Sequence, residues 1–323
     1  MSFVRIREAG DSALLLEIGV SGTSAPPAGI DEDVNARAIA IARALRQRAI
    51  AGVRDVVSTF RSVAVFFDPL STDVPALAAA LHADADAVPS AYEGRAIEVP
   101  VVYGGDAGPD LAHVAAFAGC SSEAVIERHA SRAYRVFMLG FLPGFAYMAS
   151  VDETIAAPRR ATPRLGVPSG SVGIAGRQTG IYPRDSPGGW QIIGRAATNL
   201  FDPRRTPPAL FAPGDSVRFV PVPAGHDLTP RQAGRDRTSP SHGQQLSAPH
   251  DTGRCVTVLR PGFLTTVQDT GRWGYQDFGV PVSGPMDHAA HRLANAVVGN
   301  PTDAAALEAT WRGPELRMEQ ETR

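Results

Sequence analysis

The chain has 323 residues, 44% of them apolar and 20% charged, with a formal net charge of −2 at neutral pH. This length predicts two or three domains, and the near-neutral balance excludes nucleic acid or an anionic membrane as the main partner. All 31 basic side chains are arginine, which excludes a Walker phosphate loop, a Schiff-base lysine and a biotin-bearing lysine, each of which needs an amine.

From the amino terminus, 3–7 and 14–18 read as strands. The apolar run Ala13–Leu16 is too short for a signal peptide, and no run approaches the roughly 20 apolar residues of a membrane span, so a cytoplasmic location is expected. Asp31–Ala49 reads as a helix, with Asp33 as cap and Val34, Ala38, Ile41, Ala42 and Leu45 on one face. Gly52 stops it. Strands 53–60 and 63–67 form a hairpin closed near Arg61-Ser62, and a second helix, 74–83, turns Leu77 and Leu81 inward. Residues 1–95 are therefore expected to form a small ferredoxin-like α+β domain.

A different pattern starts at Ile97–Tyr103. Asp110 is placed to cap a short helix ending at Gly119, and Ser121 or Ser122 to cap a second, on which Val125 and His129 share a face. Next comes VFMLGFLPGFAYM (Val136–Met148), whose aromatics Phe141, Phe145 and Tyr147 are expected in the core. Pro163–Gly194 holds eight glycines and four prolines in 32 residues, with Asp185 its only acidic group. Many short strands between turn residues predict a mainly-β barrel over 96–222.

The glycine-rich stretch is rich in donors and poor in carboxylates, which suits an anionic or carbonyl-bearing small molecule. Candidate catalytic residues are His129, Arg164 and Gln178. Candidate substrate-binding residues are Arg159, Ser171, Thr179, Tyr182 and Trp190. Arg159 and Arg164 have the planar fork that grips a carboxylate, whereas Arg160 is expected to be a solvated neighbour. Cys120 and Cys255 have no metal-ligand spacing and predict neither a disulfide framework nor a metal site.

Residues 223–253 are rich in Pro, Ser, Gly, Gln, Arg and His and read as a disordered linker. Beyond it, 254–323 opens a β-rich fragment containing strand 256–259 and a helix over 286–298. This fragment is expected to be the incomplete start of a further domain.

FMLGFLPGFAYM and PRRATPRLGVPSGSVGIAGRQTGIYPRDSPGGWQIIGR, with YGGDAGPDL before them, resemble the 5-oxoprolinase B-subunit family. That family is also called KipI-like or allophanate hydrolase subunit 1, and is related to the carboxyltransferase region of urea carboxylase. RPGFLTTVQDTGRWGYQDFGVPVSGPMD resembles the start of the 5-oxoprolinase C-subunit family, the KipA-like, biotin-dependent carboxyltransferase-like group. The resemblance implies a cyclophilin-like barrel and, with partner subunits A and C, ATP-dependent opening of 5-oxo-L-proline, a small anionic amide, to L-glutamate. It also offers Gln268, Asp269 and Arg272 of the C-subunit-like fragment as residues of a shared site. Two alternatives follow from the same likeness: a carboxyltransferase subunit of the urea carboxylase and allophanate hydrolase type, and a KipI-like inhibitor of a sensor histidine kinase.

Overall fold

A computed structural model describes residues 2–20, 31–87, 94–225 and 256–318. The expected linker lies almost wholly outside the described residues. By contacts the chain divides into two compact units, the first holding residues 1–233 together with 273–280.

The first unit opens with strands β1 (Ser2–Glu8) and β2 (Ala13–Val20), helix α1 (Glu32–Arg48), strands β3 (Val53–Ser58) and β4 (Ser62–Phe67), and helix α2 (Val74–Ala87). The strands form one antiparallel sheet in the order β1-β2-β4-β3. Val63, Val65 and Phe67 alternate inward along β4 and pack with Leu16, Ile41, Leu45 and Leu81 into a core of sheet plus both helices. The cap of α1 is Asp31 rather than the expected Asp33. Its Oδ1 accepts from the backbone N–H groups of Asp33 and Val34, because Asp31 is the last extended residue before the helical turn.

A closed barrel follows. Its strands are β5 (Ala96–Tyr103), β6 (Ala133–Leu139), β7 (Ala146–Ala149), β9 (Ser171–Ala175), β10 (Gln178–Ile181), β12 (Gln191–Ala196) and β13 (Ser216–Pro221), in the order β10-β7-β6-β13-β5-β12-β9. Only β13 with β5 is parallel. Two helices, α3 (Leu111–Ala118) and α4 (Ser122–Ala130), join β5 to β6, and Ser121 caps α4. A side hairpin pairs β8 (Arg164–Val167) with β11 (Ser186–Gly188).

Strand alternation splits the barrel's apolar residues into two layers. Ala146, Met148, Val172, Ile174, Ile181 and Ile193 belong to the main core with α3 and α4. Phe145, Ala175, Tyr182, Trp190 and Ile192 form a separate cluster, with Tyr147 packed against it. We call these the inner and outer faces.

Trp273–Val280 belongs to the first unit although it follows the linker in sequence. Asp55 of β3 accepts from the backbone N–H groups of Gly274 and Gln276, and Trp273 lies 4.7 Å from the Arg54 guanidinium. Gly144 donates to the Phe278 carbonyl at 2.8 Å, tying the same segment to the barrel. The second unit carries strands β14 (Val256–Arg260) and β17 (Glu315–Met318) in one pair and β15 (Leu264–Gln268) and β16 (Ala306–Thr310) in another, plus helix α5 (His288–Val297). Asp287 caps α5 through Ala290 N–H. Phe263, Met286, Val297 and Trp311 of this unit are exposed.

Burial raises Asp277 to about pKa 6, opposed by Arg46 and reinforced by Asp55. A carboxyl whose folded pKa lies above its unfolded value contributes stability that is fully present below about pH 4 and lost as pH rises through about 6. Asp277→Asn should therefore flatten the pH dependence of the urea-unfolding free energy between about pH 4.5 and 7.5. The two proteins are expected to diverge by about 2–3 kcal/mol across that window; parallel curves would refute it.

Candidate functional site

His129 sits on the inner face. Helix α4, started by the Ser121 cap, carries Val125 and His129 into the core, where both are fully buried. The imidazole stacks on Phe219, with centroids 4.6 Å apart. Its Nδ1 lies 2.8 Å from the Tyr103 hydroxyl and its Nε2 lies 2.9 Å from Thr179 Oγ1. Thr179 in turn donates to the Gly173 carbonyl at 2.9 Å.

Because the threonine proton is spent on that carbonyl, Nε2 carries the ring proton and Nδ1 accepts from Tyr103. One neutral tautomer satisfies the whole chain. Burial, then the nearby Arg132 charge, lowers the His129 pKa to about 3, and burial raises that of Tyr103. The structure seats His129, expected as a catalytic residue, in the closed inner core with both ring nitrogens hydrogen-bonded. At neutral pH its ring is uncharged and both nitrogens are engaged, so no base is left for Ser171 either. Ser171 is buried at the start of β9, where its carbonyl accepts from Tyr182 N–H.

The outer face is aromatic. Trp190 has its ring centroid 5.5 Å from Phe145, 6.1 Å from Tyr147 and 6.4 Å from Tyr182. Two glycines facing each other across β9 and β10, Gly173 and Gly180, make this possible. A Cβ at Gly173 would come within 3.1 Å of Trp190 Cβ, and one at Gly180 within 2.8 Å of the Ala146 carbonyl and 3.2 Å of the indole. The indole lies flush on the sheet because no side chain stands beneath it.

Trp190 is only 5% exposed, so it forms the interior of this layer and not its ligand-facing surface. Tyr182 is likewise buried. Half-buried Tyr147 and Gln178 and exposed Arg159 remain accessible. Phe145 and Tyr147, expected in the barrel core, belong to the outer layer because they alternate with inward Ala146 and Met148, while Phe141 is 61% exposed.

One buried carboxylate anchors the layer. Asp110 is 4% exposed and accepts from Arg164 through both oxygens, at 2.7 and 2.8 Å, from Arg160 at 3.1 Å and from Ile192 N–H at 2.7 Å. Burial pushes its pKa up, but the Arg164 hydrogen bond, the Ile192 N–H and the two positive charges outweigh it and hold the pKa low. Three expectations change here. Asp110 occupies the cap position of α3, but its side chain makes no cap hydrogen bond. Arg164, expected to hold a ligand, is committed to Asp110, and Arg160, expected to be solvated, shares the same carboxylate.

Arg159 has no hydrogen-bond or ion-pair partner among the described residues. Its charge nevertheless reaches Tyr147 and Tyr182, drawing both phenols down against the larger upward effect of burial. The structure therefore distributes the candidates over two faces of one sheet. His129 and Thr179 meet inside; Tyr182 and Trp190 meet outside, with Arg159 and Arg164 near Tyr182.

In the second unit, Asp269 closes a local turn onto Gly271 N–H, Gln268 bonds Thr266, and the Arg272 backbone pairs with Val282. Tyr103, Asp110 and Tyr147 were not singled out from sequence as site residues. Only Tyr147 left a signal, in the odd–even alternation of β7.

The family described as carboxyltransferase domain, subdomain C and D, matches residues 4–211, and carboxyltransferase domain, subdomain A and B, matches 278–323. The 5-oxoprolinase B subunit of Escherichia coli O157:H7 is 59% identical over 133 residues, 41% of this chain and 61% of that protein. The 5-oxoprolinase B subunit of Bacillus subtilis (strain 168) is 37% identical over 230 residues, 68% of this chain and 92% of that protein. The crystal structure of TTHA0988 superposes with a TM-score of 0.74 at 34% identity, covering 97% of this chain and 58% of that one. The chain therefore spans under two thirds of the Escherichia coli protein and of TTHA0988.

Two outcomes test this geometry. A histidine held neutral when folded costs stability as pH falls below its unfolded value near 6.5, down to about 3. Urea unfolding at about pH 7 and 4.5 should show His129→Gln losing roughly 3 kcal/mol less than the parent protein over that interval. Equal losses would contradict the buried neutral imidazole. Gly180→Ala should lower stability by about 1–3 kcal/mol and red-shift tryptophan emission, because the added methyl lifts the indole off the sheet; unaltered emission and stability would show that Trp190 does not lie on this glycine.

Proposed function

This chain belongs to the carboxyltransferase-domain family, subdomain C and D, and from that premise we propose that it is the B-type subunit of a 5-oxoprolinase complex. In this reading it acts in the cytoplasm with A and C subunits, and the complex opens 5-oxo-L-proline to L-glutamate at the expense of ATP. The single observation that carries the site assignment is Arg159: an exposed guanidinium, unpartnered among the described residues, whose charge reaches the phenol of Tyr147 in the aromatic layer.

The chemistry fits a small cyclic amide bearing one carboxylate. Arg159 offers two parallel N–H donors to the carboxylate. Tyr147, its phenol raised by burial, stays protonated at neutral pH and can donate a hydrogen bond to the amide oxygen or the departing nitrogen. Gln178 lies on the same face of β10 as Gly180 and supplies a neutral donor and acceptor. Arg164 is a positioning residue, acting through Asp110 and the Ile192 backbone.

ATP does not fit this layer. A triphosphate needs several free cations or N–H groups, whereas Arg160 and Arg164 have N–H donors committed to Asp110 and lysine is absent. We assign ATP to another subunit and derive no step through it here.

The carboxyltransferase alternative has less support, since the relatives that match along most of their own length are named as 5-oxoprolinase subunits. The amino-terminal sheet is read as ferredoxin-like: moving its first strand to the end of the chain order ββαββα gives βαββαβ.

The test is ATP-dependent glutamate release from 5-oxoproline by this chain assembled with A and C subunits. Arg159→Gln should raise KM at least roughly tenfold with little change in kcat, because the carboxylate contact serves substrate and transition state alike. His129→Gln should leave kcat largely intact once folded. An Arg159→Gln complex with unchanged KM would remove the site assignment, and no glutamate release from the parent complex would remove the function.

A further inference from the structure

A cavity of about 390 Å³, distinct from the aromatic layer, opens where the start of α1 meets the rim of β6, β7 and β13. That volume lies within the usual range for small-molecule sites. Glu32, Arg132, Arg135, Ser150 and Asp215 line it.

The charges in the cavity are not all neutralised. The Asp215 carboxylate is fully engaged, by the Arg95 backbone and guanidinium and by Ala212 N–H. Arg132 bonds Asp152 at 2.8 Å and the Ser150 carbonyl at 3.2 Å, but its Nε is buried with no acceptor among the described residues. Arg135 meets no carboxylate among the described residues. Its side chain makes one long 3.5 Å bond from Nε to the amide oxygen of Asn35, and its Nη2 is buried without a partner. Glu32, at the mouth, is exposed and forms no ion pair among the described residues.

We propose that this cavity is a binding site for a small α-amino acid zwitterion, its carboxylate held by the Arg135 guanidinium and its ammonium turned to Glu32. The pairing is charge-complementary: Arg135, which meets no carboxylate among the described residues, faces a monoanion, and Glu32 faces a cation. Inorganic phosphate fits worse, because it offers no cation to Glu32 and sets its own negative charge against that carboxylate. Glutarate has the carboxylates without the ammonium and leaves Glu32 unpaired. This site does not depend on the 5-oxoprolinase reading.

Calorimetric titration of the full chain with L-glutamate, L-alanine, glutarate and inorganic phosphate tests the proposal. Saturable binding of an amino acid is expected, weakened at least roughly tenfold by Arg135→Gln and by Glu32→Gln and partly retained in Arg135→Lys. Glu32 is exposed, so its variant keeps the comparison valid if loss of Arg135 disturbs the fold. The proposal is overturned if neither amino acid binds saturably, if both Gln variants bind like the parent, or if phosphate or glutarate binds as tightly as the amino acid.

Discussion

The buried carboxylate of Asp110 holds together three parts of the chain that share no sequence neighbourhood. It is the residue before α3, it receives the backbone of β12 at Ile192, and it takes both arginines of the PRRATPR segment that flank its threonine and proline, Arg160 and Arg164. Removing one partner of such a pair costs far more than the pair contributes, since an uncompensated charge is left behind. Asp110 is protected against that loss by redundancy: with either arginine gone, the other and the Ile192 N–H remain. Ile192 lies two residues beyond Trp190, so the same anchor fixes the strand that follows the indole.

Much of this was legible in the sequence. Apolar spacing located α1 and α2, and the turn residues between short strands announced a barrel. What stayed hidden was long-range. Asp110 stands where a helix cap should stand, and nothing local reveals that its oxygens turn to an arginine 54 positions away. Arg159, Arg160 and Arg164 are equivalent in the sequence motif, yet two are spent on Asp110 and Arg159 has no partner among the described residues. His129 was placed on the correct helical face with Val125, but its protonation state is set by Tyr103, Thr179 and Phe219, each from a different strand.

The glycine-rich stretch carries the same lesson. Its composition pointed to a donor-rich site for a small molecule. Gly173 and Gly180 do allow close approach, but by Trp190, a residue of the same chain. The inner face is closed by packed side chains and by α3 and α4, as is usual for a small barrel. With the interior filled, polar chemistry moves to the rim and the outer face, where strand alternation turns Tyr147 and Gln178 away from the core.

The absence of lysine gives the arginines a double meaning. A guanidinium is a planar fork with five donors, suited to cross-linking carbonyls and carboxylates that a point-charge ammonium could not span together. Arg205 binds the carbonyls of Asn199, Leu200, Pro207 and Pro208, and Arg46 sends two N–H groups to the Val56 carbonyl. Arg95 joins a strand start to Asp215 and Leu210. Arginine therefore serves this fold as a staple, and a staple is recognised by its engaged donors. Against that background Arg159 has no partner among the described residues, and Arg135 holds one long bond to a neutral amide. Arg61, Arg184 and Arg218 also lack a side-chain partner among the described residues, so an unspent guanidinium alone marks no site; what distinguishes these two is the aromatic layer within reach of one and the cavity lined by the other.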